Sequence, residues 1–338
     1  MNAARSLPDA DGLALAVVSG ERSALARALN LLDDRRNDAR RHAATFLSRI
    51  QARAAQDGGH LIGITGPPGA GKSSLTAALI GHWRRAGLRV GVLAVDPSSP
   101  ISGGALLGDR LRMKTPADDD GVFVRSLACR GEFGGLSAEV WPMSLVMLAA
   151  FDITLVETVG VGQREIDVAR MCDTTCFVAQ PGSGDTIQFL KAGILEVPHV
   201  LVVNKEDMGA VAQRTLSDLA GVLKRRHDDG GWEVPVLSAS ATRGTGIETL
   251  AGAMERHRDL LGAMGGLAQR RQRYQGQWLL KRLREEFGSF GIRRLGGEQV
   301  LLERIAGEES SPFAQLESLR QRLFQELDST RPTEMTPD

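Results

Sequence analysis

A glycine-rich segment contains the residues whose types and spacing predict chemistry most clearly. The residues that match G-x-x-x-x-G-K-[ST] in full are Gly66, Pro67, Pro68, Gly69, Ala70, Gly71, Lys72 and Ser73. They follow the apolar run LIGIT and precede a helix-like stretch that begins at Ser74. Glycines let successive backbone N–H groups face a phosphate, the lysine reaches the terminal phosphates and the serine hydroxyl binds magnesium. We therefore predict that residues 66–74 bind a nucleoside triphosphate, with Lys72 catalytic and Ser73 a magnesium ligand.

A second pattern indicates which base the nucleotide carries. Asn204, Lys205 and Asp207 form N-K-x-D directly after the apolar run VLVV. The carboxylate of Asp207 would accept two hydrogen bonds from guanine, at N1–H and at the 2-amino group. Adenine has an acceptor at N1 and no 2-amino group, so the carboxylate would be left without hydrogen-bond donors. A buried charged group without its partner costs on the order of 2–4 kcal/mol. The pattern predicts GTP in preference to ATP.

A third pattern resembles the last guanine-contacting loop of GTPases. It starts at Ser240, Ala241 and Thr242 and reads S-A-x-x-G-x-G-I. A backbone N–H of this loop would contact the guanine oxygen. Ser238-Ala239 offers a competing register two residues earlier, and the register from Ser240 is favoured because its glycines then fall in the expected places.

Carboxylates and glycines near predicted strand ends are candidates for the metal and the switches. Glu157 ends the run ITLVE and stands where most GTPases have the aspartate of D-x-x-G, with Gly160 as the expected γ-phosphate sensor. Gln163 is near the usual position of a water-orienting glutamine. Asp96 ends another predicted strand and is expected at the same edge of the sheet as the phosphate loop. There it would bind magnesium directly or contact one of the ligands of the ion. Asp109 lies in a glycine-rich segment that has two interpretations. The segment is either a mobile switch, in which Asp109 binds the metal and takes part in catalysis, or an ordinary turn.

The elements needed to position these residues are predicted as an α/β fold. Near-continuous apolar runs alternate with stretches long enough for helices, which is typical of a mostly parallel sheet covered on both faces. The runs are LIGIT, VGVLAVD, ITLVET, TCFVAQ, VLVVNK and PVLSAS. Leucines and alanines at helical spacing flank this region on both sides. We predict a P-loop GTPase domain at 59–261, with helical extensions at 1–58 and 262–338.

Composition and charge exclude several classes of protein. With 338 residues and 24% charged residues the chain is expected to be globular. Its 41 basic and 41 acidic residues cancel, so no overall charge favours nucleic acid or an anionic membrane. The net charge of zero includes a basic stretch at 270–294 and an acidic stretch at 301–338. The two stretches are either solvated helix faces or a complementary pair in a subunit interface.

Cysteine content and the apolar runs predict the compartment. Three cysteines do not form a disulfide framework and favour a reducing environment. The first residues lack the basic start and apolar run of a signal peptide, and no apolar run approaches the roughly twenty residues of a membrane span. A cytoplasmic location, with no membrane partner, is expected.

Together these motifs resemble the MeaB/ArgK family of GTPases that are associated with methylmalonyl-CoA mutase. The stretches that carry the resemblance are ITGPPGAGKSSL, LAVDPSSP, GG-x4-GDR-x-RM, RS-x-A-x-RG-x-x-GGLS, VETVGVGQ-x-E, QPGSGD, KAGILE and VVNKED. They run from the phosphate loop to the base loop, and the flanking helices fit the layout of the family.

The resemblance implies more than the residues do alone. Members of this family look like homodimers built partly through C-terminal helices. They act as chaperones for adenosylcobalamin-dependent acyl-CoA mutases, where GTP binding and slow hydrolysis gate the loading of intact cofactor and the removal of damaged cofactor. By this resemblance Lys72, Ser73, Asp96, Asp109 and Glu157 match nucleotide and magnesium residues, and 180–191 matches a switch that reports to the mutase.

Several alternatives remain open at the level of the sequence. A partner other than methylmalonyl-CoA mutase, such as isobutyryl-CoA or ethylmalonyl-CoA mutase, fits the same motifs. A nickel metallochaperone GTPase is a rival, although such proteins usually carry histidine-rich or cysteine-rich sites and the six histidines here are scattered along the chain. A transport-linked NTPase or a kinase is a further alternative, which N-K-E-D disfavours because it selects guanine. A non-catalytic regulator that binds GTP as a structural ligand is another, and the intact Lys72, Ser73 and Glu157 argue against it.

Overall fold

A computed structural model describes residues 9–34, 36–53, 58–96, 119–128, 139–158, 168, 171–183, 198–223, 231–308 and 310–329. The chain divides into two compact units. One unit comprises Ala54–Arg271, and the other combines Met1–Arg53 with Gln272–Asp338. The N-terminal and C-terminal helices therefore fold into the same unit.

The Ala54–Arg271 unit is built on a seven-stranded sheet in which every neighbouring pair is parallel. Its strands are β1 His60–Thr65, β2 Val90–Asp96, β3 Val122–Ala128, β4 Ile153–Thr158, β5 Thr174–Ala179, β6 Val200–Val203 and β7 Val236–Ser238. They are arranged in the order β3-β2-β4-β1-β5-β6-β7. This confirms the predicted parallel α/β fold.

Helices flank the strands in sequence and make up the other unit. Those described are α1 Ala10–Val18, α2 Arg22–Asp33, α3 Asn37–Arg53, α4 Lys72–Arg85, α5 Val140–Ala150, α6 Ala210–Leu223, α7 Ile247–Ala263, α8 Gly266–Arg294, α9 Glu298–Gly307 and α10 Pro312–Ser329. A short 3-10 turn covers Glu206–Met208. Gly288 has non-helical backbone angles and kinks α8. Within the described ranges, no helix is both long enough and apolar enough to cross a membrane.

The sheet buries its central strands on both faces, as the near-continuous apolar runs predict. Every residue of β1, β4 and β5 is buried. Helices α4 and α7 pack against this sheet through side chains such as Leu79, Trp83 and Leu250, which are at most 1% exposed. The burial holds the ends of these central strands in fixed positions.

Strand β3 is the one strand that the sequence did not predict. It lies at the edge of the sheet and pairs with β2 from Val90↔Val122 to Asp96↔Ala128. Its sequence VFVRSLA contains Arg125 and Ser126, and most of its residues are only half-buried. An edge strand does not need a continuous apolar run, so its signal in the sequence is weak.

The helices of the other unit form a core of their own. Leu279 and Leu283 of α8 pack with Leu319 and Leu323 of α10, and all four are at most 3% exposed. Helix α3 contacts α1 and α10. Part of the charge of the C-terminal region is paired inside this unit, since Arg320 bonds Glu286 at 2.6 Å.

Candidate functional site

The order of the strands brings the predicted phosphate, metal and base residues to one edge of the sheet. β1 lies between β4 and β5, and β6 is the next strand beyond β5. All four run in the same direction, so the loop after β1, the end of β4 and the loop after β6 meet at their carboxyl ends. Ligands of open α/β sheets bind at this edge.

The phosphate loop connects β1 to α4 and closes around the side chain of Lys72. This lysine is only 6% exposed. Its ammonium group donates hydrogen bonds to the carbonyl oxygens of Gly66 at 2.8 Å and Pro67 at 3.0 Å. Helix α4 begins at Lys72, so the amide-rich helix terminus, with its positive potential, lies at the end of the loop.

Gly71 is the residue at which the loop turns into α4. It has φ 87°, a left-handed conformation that favours glycine. A Cβ atom at this position would lie 2.5 Å from Asn204 Nδ2. The loop therefore requires glycine here both for its backbone and for its close approach to the base-recognition segment.

Ser73 and Glu157 form the candidate metal site. The Ser73 hydroxyl donates to Glu157 Oε1 at 2.6 Å. Glu157 is the residue before the last in β4, where it is paired opposite Ile64 of β1, and it is 2% exposed. A hydroxyl oxygen and a carboxylate oxygen at this separation are the hard donors that Mg²⁺ prefers, so the residues present fit that ion.

Asn204 connects the phosphate loop to the second base loop. Its Nδ2 donates to the carbonyl oxygens of Ala70 at 2.9 Å and Gly71 at 3.3 Å. Its Oδ1 accepts from the backbone N–H of Ala241 at 3.3 Å. Asn204 is 2% exposed, so these bonds are made inside the protein.

Lys205 makes a second connection to the phosphate loop. Its ammonium group donates to the carbonyl oxygen of Gly69 at 2.7 Å. It is the one non-glycine among the described residues with a positive φ, at 60°. Strained backbone of this kind concentrates at functional sites.

Asp207 and Ser240 face each other across the two base loops. The Ser240 hydroxyl donates to Asp207 Oδ1 at 2.5 Å and accepts from the backbone N–H of Arg243 at 3.3 Å. This bond from Ser240 is the main reason that the pKa of Asp207 is lowered. Asp207 is exposed and carries a full negative charge at neutral pH.

Residues of the second base loop contact Asn204 and one another. The backbone N–H of Ala241 donates to Asn204 Oδ1 at 3.3 Å, and the hydroxyls of Thr242 and Ser240 lie 3.1 Å apart. The choice of the register from Ser240 over the one from Ser238 stays a prediction. Ser74 is exposed in the first turn of α4. Of the two prolines of the phosphate loop, Pro67 is buried and Pro68 is exposed.

Four predicted residues fall wholly or partly outside the described part of the chain. Asp109, Gly160 and Gln163 lie outside it, as do residues 184–191 of the predicted switch. Asp96 is the last residue of β2, and its side chain is outside the description. Where the chain is described, no three His, Cys, Asp or Glu side chains gather as ligands for a metal ion.

Glu206 is a polar residue of this edge for which the sequence motifs predict no role. Glu206 is the variable residue of N-K-x-D, and its carboxylate accepts hydrogen bonds from the hydroxyls of Ser238 and Thr245. The sequence shows a glutamate at the variable position. It does not show which residues this glutamate contacts, because both partners are more than thirty residues away in the chain.

Comparison with known proteins agrees with this geometry. The family model described as "Methylmalonyl Co-A mutase-associated GTPase MeaB" matches residues 25–290. The chain belongs to the MeaB family. It is therefore a P-loop GTPase that binds GTP and GDP.

Individual relatives cover most of this MeaB-family chain. A protein of Pyrococcus horikoshii named as a GTPase is 41% identical over 75% of this chain and 79% of its own length. The GTPase ArgK of Escherichia coli is 39% identical over 79% of this chain and 81% of its own. The crystal structure of a protein titled LAO/AO transport system kinase matches with a TM-score of 0.68 and 28% identity, over 94% of this chain and 100% of that one.

Proposed function

We propose that this MeaB-family protein is a Mg²⁺-dependent GTPase that acts as a chaperone for an adenosylcobalamin-dependent acyl-CoA mutase, with methylmalonyl-CoA mutase as the first candidate. It gates the loading of the cofactor and protects or reactivates the mutase. The observation that carries the nucleotide chemistry is the contact of Ser73, at the end of the phosphate loop, with Glu157 of β4. The description of the MeaB family as associated with methylmalonyl-CoA mutase supports the choice of a mutase as the partner.

The residues on the phosphate side of the site bind the phosphates and the metal in this proposal. Lys72 is held by carbonyl oxygens within its own loop, from where its ammonium group can exchange those partners for the terminal phosphates. Ser73 and Glu157 would hold the metal, and Asp96 and Asp109 would supply further oxygen donors. Bound Mg²⁺ would neutralise the charge that develops on the phosphates. Gln163 orients the attacking water.

The base side of the site accounts for guanine selection. Asp207 is ionised and exposed toward solvent, and Ser240 holds one of its oxygens. A carboxylate is an acceptor only, so it pairs with the N1–H and 2-amino donors of guanine and leaves the N1 acceptor of adenine unmet. Gly160 reports the γ-phosphate, and residues 180–191 transmit the nucleotide state to the partner.

The three regions of the chain have different roles in this function. Residues 59–261 hydrolyse GTP, residues 1–58 form an N-terminal helical extension, and residues 262–338 contribute to a homodimer. The protein acts in the cytoplasm, without nucleic acid or membrane partners. The C-terminal helices expose large apolar side chains, Phe290 at 50% and Phe324 at 55%, which suits a subunit contact.

The GTPase assignment of the phosphate loop is tested with Lys72→Ala. Removal of the ammonium group is expected to lower GTP turnover at least about a hundredfold, since a single charged transition-state donor is worth that much. Lys281→Ala is the matched control, because it removes the same side chain from α8, and it should hydrolyse GTP like the wild type. Retained turnover in Lys72→Ala would reject the assigned role of this lysine.

The partner is tested by binding to purified mutases. Methylmalonyl-CoA, isobutyryl-CoA and ethylmalonyl-CoA mutase are each mixed with the protein in its nucleotide-free, GDP-bound and GTP-analogue-bound states, and complexes are measured by size exclusion. The proposal predicts a complex with one mutase whose affinity depends on the nucleotide. Absence of a complex with all three, in every state, would refute the chaperone role and leave the GTPase intact.

A further inference from the structure

Glu206 bridges the two loops that surround the base site. Its Oε2 accepts a hydrogen bond from Thr245 Oγ1 at 3.0 Å, and its Oε1 accepts one from Ser238 Oγ at 3.3 Å. The carboxylate is half-buried between the loops. An ionised carboxylate only accepts, so its two oxygens suit two hydroxyl donors.

The two partners of Glu206 mark the ends of one closed loop. The backbone N–H of Ser240 donates to the carbonyl oxygen of Thr245 at 3.0 Å, which closes the loop on itself. Gly246, with φ 72°, completes the closure, because a Cβ there would lie 2.2 Å from the carbonyl oxygen of Ser238. A carboxylate that holds Ser238 and Thr245 therefore holds both ends of the loop at once.

This loop in turn orients Asp207, the neighbour of Glu206 in the chain. Ser240 lies inside the loop and donates to Asp207 Oδ1 at 2.5 Å. The backbone N–H of Glu206 also donates to the carbonyl oxygen of Ala239 at 3.0 Å. A shift of the loop relative to Glu206 would thus move Ser240 away from Asp207 and release the carboxylate that faces the base.

We propose that Glu206 is a positioning residue for guanine recognition, which fixes the 238–246 loop against Asp207 so that both carboxylate oxygens of Asp207 meet the base. The inference rests on the proposed role of Asp207 as the residue that reads guanine. Glu206 itself does not touch the nucleotide.

The test compares the dissociation constants of GDP and IDP. Inosine lacks the 2-amino group that Asp207 reads, so the ratio of the IDP to the GDP constant measures how well this carboxylate is placed. Glu206→Ala is expected to lower the ratio about fivefold, the value of one hydrogen bond. The turnover number at saturating GTP should stay within about twofold of the wild type, because the phosphate loop is untouched.

Two variants separate positioning from general stability. Glu206→Gln keeps the shape and one acceptor, while its NH₂ group can donate to the second hydroxyl, so it should restore most of the ratio. Glu248→Ala removes an exposed carboxylate from the first turn of the adjacent helix α7 and should leave the ratio unchanged. Thr245→Val, which removes one of the two bonds, should lower the ratio about twofold and substitutes for Glu206→Ala if that variant does not fold.

Asp207→Ala distinguishes failure of this inference from failure of the base site. If Asp207→Ala abolishes discrimination while Glu206→Ala and Thr245→Val keep the wild-type ratio, Glu206 has no positioning role and the base site stands. If Asp207→Ala also keeps the wild-type ratio, the guanine assignment is wrong and the role of Glu206 is overturned with it.

Discussion

At the scale of single residues, the nucleotide site depends on close contacts between segments that are distant in the chain. Asn204 bonds the carbonyl oxygens of Ala70 and Gly71, and Lys205 bonds that of Gly69. The phosphate loop and the base loop therefore share hydrogen bonds. A change at one of these residues is expected to affect recognition of both ends of the nucleotide.

Gly71 offers the sharpest test of this coupling. In Gly71→Ala the new methyl group would lie 2.5 Å from Asn204 Nδ2, on a backbone at φ 87°. We expect about a five- to 150-fold loss of affinity for GDP, since strain of this kind costs about 1–3 kcal/mol. Isothermal titration calorimetry measures the loss, and affinity equal to the wild type would contradict the shared-contact interpretation.

Gly81→Ala is the matched control for Gly71→Ala. Gly81 lies in α4, and a Cβ there would meet nothing within 4 Å. The variant should bind GDP normally and gain about 0.5–1 kcal/mol in stability, because alanine is the better helix former.

Most of the site residues were predictable because their chemistry is local. A phosphate loop binds through its own backbone, so glycines, lysine and serine at fixed spacing identify it without knowledge of the fold. Glu206 was not predictable in this way. Its role depends on Ser238 and Thr245, and those contacts arise only when β6 and β7 pair.

At the scale of elements, one buried ion pair joins the amino ends of two central strands to helix α8. Asp173, which precedes β5 and is 0% exposed, accepts from the Arg271 guanidinium at 2.7 Å and from the backbone N–H of Leu61 at 2.9 Å. Arg271 also donates to the carbonyl oxygens of Gly58 and Gly59. These bonds fix the ends of β1 and β5 that lie opposite the nucleotide edge.

Arg271→Ala should destabilise the protein strongly. Removing one partner leaves Asp173 as a buried charge without its guanidinium, and such losses cost about 3–5 kcal/mol. Urea unfolding measures the change. Arg85→Ala, an exposed arginine of α4, is the control and should stay within about 0.5 kcal/mol of the wild type. Equal stability of the two variants would show that the ion pair does not hold the strand ends.

The elements themselves were predicted unevenly. Six strands were evident because central parallel strands are buried on both faces and read as apolar runs. The edge strand β3 was missed, because Arg125 and Ser126 interrupt its pattern. The sequence also gave no sign that the N-terminal and C-terminal helices share a unit, since α3 and α10 are separated by more than 250 residues and meet only through tertiary packing.

At the scale of the whole molecule, three histidines that are scattered along the sequence lie together at the amino ends of the strands. Thr174 Oγ1 bonds His60 Nε2 at 2.7 Å and His257 Nδ1 at 2.8 Å. His199 stacks on His257 with ring centroids 4.2 Å apart, and Arg270 contacts its Nε2. Burial, followed by nearby positive charge, lowers the pKa of His60 and of His257 to about 3 and lowers that of His199 well below its usual value.

These shifts predict a loss of stability in mild acid. The unfolded histidines take up protons as the pH falls below about 6.5, whereas folded His60 and His257 do so only near pH 3 and folded His199 only well below its usual pKa. The unfolded state is therefore favoured as the pH falls below about 6.5. The free energy of unfolding is expected to fall by on the order of 1–2 kcal/mol per histidine between pH 7.5 and pH 5.

Urea titrations at several pH values measure this dependence. His257→Gln should reduce the slope of stability against pH by about a third, because one of three sites is lost. A stability that is constant from pH 7.5 to pH 5 would contradict the assignment of three neutral buried histidines.

The most direct test of the account is GTP turnover by the purified protein with increasing amounts of adenosylcobalamin-dependent methylmalonyl-CoA mutase. Slow turnover by the protein alone, a saturable increase with the mutase and loss of both in Lys72→Ala are predicted, because a partner that orders switch segments stabilises the hydrolysis-competent state. Turnover that stays the same at every concentration of the methylmalonyl-CoA, isobutyryl-CoA and ethylmalonyl-CoA mutases would contradict the proposed chaperone function.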